Sequence, residues 1–115
     1  MKESANIGQS IYDLAGSIFP ICRSITGEGV RETLKILDSY IFAGTGKHLD
    51  IKEVPSGTQV FDWTVPKEWR IKSAYIEDEY NNHIIDMRDN NLHVMGYSTP
   101  VDEWVSLEKL KKHIA

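Results

Sequence analysis

Cys22 stands beside Arg23 and Ser24, and a neighbouring guanidinium lowers a thiol's pKa toward the reactive thiolate. A nucleophile of that kind needs a base, yet no histidine lies near it in sequence. The ordinary role of a lone cysteine at the end of an apolar stretch, a small buried side chain, fits it better. The histidines are His48, His83, His93 and His113, and none stands at a metal-site spacing from another or from Cys22. There is no HExxH or CxxC pattern, so no zinc site is expected within these residues and no metal ligand is assigned. Asp86 and Asp89 flank a turn, where aspartate serves as turn chemistry. His93, between Leu92 and Val94, reads as an exposed strand position. Gly27-Glu28-Gly29 lacks the lysine and the preceding strand of a phosphate loop. Residues 23–26 precede a helix whose free N–H groups could hold an anion, but Ser24 and Thr26 read more simply as caps. The Phe61 and Trp63 pair could form an aromatic ligand platform; sharing one strand face with Val65, it is expected to be core, with Trp63 buried.

The elements that position these residues follow from periodicity. Ile7, Ile11, Leu14 and Ile18 recur at spacings of four, three and four, which predicts an amphipathic helix over 6–19 capped by Asn6 or Ser4 and stopped by Pro20. A second helix comes after the link 21–27, with Glu28 in its first turn, Val30, Leu34, Leu37 and Ile41 on one face, and Gly44-Thr45-Gly46 at its close. The two read as an antiparallel pair. From Leu49 the period changes to 2. Strands are expected at 49–54, 59–65, 69–75, 83–87 and 92–97, with a turn at Pro55-Ser56-Gly57-Thr58 and a polar loop over 78–82. Ser106 caps a final helix carrying Leu107, Leu110 and Ile114 on one side. The fold class is α+β: an N-terminal helical hairpin, a small mostly antiparallel sheet and a short C-terminal helix.

The 115 residues fit one domain, which at this size buries roughly two-thirds of its unfolded surface. A net charge of -4 gives no basic footprint, so neither nucleic acid nor an anionic membrane is the expected partner. No stretch is long and apolar enough to span a bilayer. One cysteine and no signal peptide point to a reducing cytoplasm.

Three blocks, FPICRSITGEGVRETL (19–34), EVPSGTQVFDWTVPKEW (53–69) and NLHVMGYSTPV (91–101), resemble the N-terminal part of a family of bacterial and archaeal aminopeptidase-like proteins. Such proteins look like zinc-dependent exopeptidases carrying an inserted domain of unknown function, and the resemblance spans residues 11–110. It implies that residues 1–46 pack on a peptidase body and that 47–115 begin the inserted domain. It further implies that the zinc-binding segments, including a His-Pro step and an Asn-rich Leu-Ser-Gly turn, lie downstream, so zinc belongs to the full-length family and no cofactor to this chain. Arg23, Ser24, Thr26 and Gly27 would then face the active cleft and contact a peptide or aminoacyl substrate. The implied function is a scaffold or substrate-contacting segment of a metal-dependent aminopeptidase-like hydrolase, inactive alone and partnered by the remaining polypeptide or a subunit supplying it. An apolar patch for that partner is expected on the outer faces of the two N-terminal helices. The alternative is a free-standing interaction module using Phe61, Trp63 or Trp69 as a contact surface.

Overall fold

The computed structural model describes the backbone of residues 2–114 and the side chains of 6–114. In order come helices α1 (Lys2–Ile18) and α2 (Glu28–Thr45), strands β1 (Gln59–Val60), β2 (Trp63–Thr64), β3 (Tyr75–Glu77) and β4 (His83–Asp86), a 3-10 turn (Asn91–His93), and helix α3 (Leu107–Leu110). The class is α+β. Among the described residues no helix is long and apolar enough to cross a membrane.

Helix α1 starts before either expected cap: Asn6 lies inside it, its carbonyl accepting a 2.9 Å hydrogen bond from Ser10 Oγ. Lys2, Glu3 and Ala5 have no quarrel with helical dihedrals, so the helix runs through them. Helix α2 ends as expected, with Gly46 at φ 68° donating its N–H to the Phe42 carbonyl at 2.8 Å. Its start is different. The N-cap is Gly27, with no side-chain cap, because the Ser24 hydroxyl is engaged by the Thr26 carbonyl and the Thr26 hydroxyl by Tyr97. The helices do not close on each other as a packed hairpin; they flank a shallow groove lined by Leu14, Ser17, Ile36 and Tyr40.

The sheet expectation is corrected in several places. Two separate two-stranded antiparallel sheets replace one, β1 with β2 and β3 with β4. Residues 59–65 are not one strand but a hairpin: Gln59 pairs with Thr64 and Val60 with Trp63, leaving Phe61 and Asp62 as the loop. Paired residues share a face, so Val60 points the same way as Trp63, and the alternation that groups Phe61, Trp63 and Val65 in sequence does not carry through the loop. Phe61 is 97% exposed and Trp63 50%, so neither is core. No strand forms over 49–54 or 69–74, since no described strand pairs with either run. Residues 92–97 fold into the 3-10 turn and a second turn, in which Ser98 N–H donates to the Met95 carbonyl at 3.3 Å. The Asn90 side chain accepts from Leu92 N–H and draws the chain inward, away from an extended course. The loop over 78–82 is as read: Asp78 accepts from the backbone of Tyr80 and Asn82, both at 2.9 Å. Ser106 does cap α3, accepting from Lys109 N–H at 3.2 Å.

Among the described residues no hydrophobic side chain is buried. The radius of gyration is 19.2 Å, against about 13 Å for a compact chain of this length. The accessible surface is 10093 Å², against about 6,400 Å² for a compact monomer of this mass. Two-thirds burial is therefore not reached. The open apolar surface includes the helices, as expected, but also the β-rich half, at Val54, Phe61, Ile84 and Trp104.

Candidate functional site

The blocks 19–34, 53–69 and 91–101 meet at one place. Tyr97, at φ 64°, extends its hydroxyl between Thr26 Oγ1 (2.7 Å) and the Lys67 carbonyl, to which it donates at 2.9 Å. The Trp69 indole N–H donates to the Ser98 carbonyl at 3.0 Å, and its ring stacks on Tyr97 with centroids 6.3 Å apart. Asn91 Nδ2 donates to the Phe19 carbonyl at 2.8 Å. Arg31 pairs with Glu28 at 2.7 Å and with both carboxylate oxygens of Glu68. The Glu68 hydrogen bond, with its charge, raises the Arg31 pKa, and Arg31 lowers that of Glu68 in return.

Two glycines make this closure possible. Gly27 is buried at φ 112°, where a Cβ would come within 2.9 Å of the Trp69 carbonyl oxygen. A Cβ on Gly29 would overlap the Cys22 carbonyl. The link 20–27 can thus fold back over the first turn of α2 and under Trp69.

Between these segments lies a polar cleft lined by Cys22, Ser24, Thr26, Glu28, Glu32, Trp69 and Arg70. Of the four expected substrate contacts, Ser24 and Thr26 line it. Gly27 sits behind it, against Trp69. Arg23 does not line it: its guanidinium donates to the Ile18 carbonyl at 2.7 Å and Thr33 Oγ1 at 3.2 Å, tying the end of α1 to α2. Tyr97 is not legible in sequence as a site residue, because its alternation with Met95 and His93 reads as strand. Gly96 is no signal either, since a Cβ there would meet Ser24 Cβ at 3.8 Å, an ordinary contact.

The histidines go elsewhere. His48 pairs with Asp38 at 2.8 Å and stacks on Phe42, while Asp38 also accepts from Leu49 N–H, its pKa lowered first by that bond. His83 stacks on Tyr75 with centroids 4.1 Å apart and pairs with Asp86 at 2.8 Å. Asp86, 5% exposed, also accepts from Arg88 Nη2 at 2.6 Å and Arg88 N–H at 2.9 Å, and so serves the turn as read. Among the described residues no three His, Cys, Asp or Glu converge as a metal would require. At His83 the Asp86 carboxylate is already taken up by Arg88, so this grouping offers zinc no ligand set.

Fold and cleft together define an α+β segment whose loops are locked to one another while its apolar faces lie open. Residues 12–110 match the family described as "Domain of unknown function (DUF4910)", and the chain belongs to that family. Over 114 residues it is 49% identical to a Clostridium acetobutylicum protein described as "Putative polysaccharide biosynthesis protein with aminopeptidase-like domain". The match takes in 99% of this chain and 25% of that protein. A crystal structure from the same organism, described as a "putative peptidase", superposes with a TM-score of 0.87 at 50% identity, over 96% of this chain and 25% of its own. The chain thus spans about a quarter of the length of the relatives it matches.

Proposed function

We propose that the chain is the scaffold portion of a metal-dependent aminopeptidase-like hydrolase, shaping the approach to a catalytic centre that other residues supply. The observation that carries this reading is the 49% identity to one quarter of a protein whose description includes an aminopeptidase-like domain. The open apolar surface supports it, since a segment with no interior needs a body to cover it. Zinc would be held by the rest of that body. Ser24 and Thr26 would present hydroxyls to a peptide or aminoacyl substrate, with Arg23, Gly27 and Tyr97 positioning the loop that carries them.

A free-standing module would also expose aromatic side chains, as Phe61 and Trp63 are exposed here. Such a module needs its own core to hold them, and that is what the described residues do not form. The experiment is a side-by-side assay of the 115-residue chain and a longer polypeptide carrying it, with zinc, on aminoacyl and short peptide substrates. The longer polypeptide should hydrolyse them and the short chain should not; equal rates would overturn the reading. In the longer polypeptide Ser24→Ala should raise KM several-fold with kcat nearly unchanged, the mark of a group that binds without catalysing.

A further inference from the structure

Residues 47–55 run without turn or bend between the cap of α2 and the Pro55 turn. Within them Leu49 and Ile51 alternate with Asp50 and Lys52, the pattern of a half-buried strand. Ile51 is 47% exposed and Val54 56%. The preceding N–H, that of Leu49, is fixed to the Asp38 carboxylate at 2.6 Å, and Gly57 and Thr58 enter the β1–β2 hairpin through Val65. Between these anchors, neither the N–H nor the C=O of any residue from 50 to 54 is hydrogen-bonded among the described residues. The run is held at both ends and open along its length, which is what a strand looks like when its neighbour is missing.

We propose that residues 50–54 form a β-edge that pairs with a strand supplied by the remainder of the longer polypeptide, a β-augmentation within one protein. The inference rests on the scaffold reading above. The occupant is argued from area. The chain exposes about 3,700 Å² more than a compact monomer of its mass, whereas a standard interface with a second copy covers only about 800 Å² of each partner. A polypeptide several times longer, as the relatives are, can cover such a surface from several sides. The backbone of 50–54 calls for an extended segment with its own free donors and acceptors, carrying apolar side chains opposite Leu49 and Ile51.

The test is amide hydrogen exchange at residues 50–54, in the 115-residue chain and in the longer polypeptide. One neighbour engages only alternate residues of a strand. In the longer polypeptide, either the odd or the even amides should therefore slow on the order of a hundred-fold, while the intervening ones stay fast. Two adjacent variants, Ile51→Pro and Lys52→Pro, add an independent readout: one should abolish the protection and the other leave it, since only one removes a donor the ladder uses. Fast exchange at every amide, slowing without alternation, or alternating protection in the short chain that grows with its concentration would each overturn the pairing. Free exchange in an actively hydrolysing polypeptide would sink the pairing and leave the scaffold reading standing. Alternating protection in an inactive polypeptide would do the reverse.

Discussion

Phe61 sits at φ 53° as the first residue of a two-residue hairpin loop, a position that glycine normally fills. A left-handed dihedral on a bulky residue costs on the order of 1–3 kcal/mol, more than the 0.5–1 kcal/mol of unfolded-state entropy that glycine adds. Phe61→Gly should therefore favour the hairpin by about 1 kcal/mol, read as a several-fold rise in its population from the cross-strand NMR contacts of Val60 and Trp63. Trp63, half exposed, is not worth a core residue's 3–5 kcal/mol. Its fluorescence should be quenched freely by iodide once Trp69 and Trp104 are replaced by Phe, and a shielded Trp63 would contradict the exposed hairpin. Asp86 supplies the pH dependence of the second hairpin. Hydrogen bonds from the Arg88 side chain first, then from its N–H and from His83, hold the carboxyl well below the usual carboxylate range. A pKa depressed by folding gives a contribution that is full above the unfolded value, about 4, and lost as pH falls below it. The Tyr75–His83 stack should persist down to pH 4 and dissolve below it. Asp86→Asn should loosen the stack at neutral pH and remove that acid transition, as followed by the Tyr75 ring resonances.

At the scale of elements, the junction around α2 decides whether the cleft exists. Alanine inside a helix is ordinarily about 1 kcal/mol better than glycine. At Gly29 the sign should reverse, since the new Cβ would overlap the Cys22 carbonyl and push the link 20–27 off the helix. Gly29→Ala should erase the NMR contacts between Thr26 and Tyr97. Tyr97→Phe should cost about 1 kcal/mol and speed exchange of the Trp69 indole N–H about five-fold; an unchanged rate would show the lock to be idle. Both helices, the α+β class, the Gly46 and Ser106 caps and the Asp78 loop are legible in sequence, because each is set by residues within a few positions. Residues 49–54 and 69–74 read as strands because their side chains alternate, but a strand needs a partner and local pattern says nothing of where one comes from. Phe61 reads as strand because the run 59–65 alternates and holds no glycine or proline to mark the turn, although the pairing of Val60 with Trp63 reverses the faces there. In the cleft, Ser24 and Thr26 are legible as polar residues between apolar helices. Their lock, Tyr97, comes from 71 residues away, and local pattern does not say that the two segments meet.

The whole molecule is a set of well-formed local pieces joined at one polar junction, with no described hydrophobic residue buried. Its extents of 56 × 43 × 21 Å describe a slab, and a slab this thin gives apolar side chains no interior to share. Folding cooperativity comes from such an interior, so the isolated chain should lack it while the longer polypeptide should have it. Calorimetry of the isolated 115-residue chain tests this most directly. A self-sufficient domain of this length melts with an enthalpy of about 80 kcal/mol. The scaffold account predicts a shallow, non-cooperative trace with no such peak. A sharp two-state endotherm near that value, from monomeric chain, would contradict it.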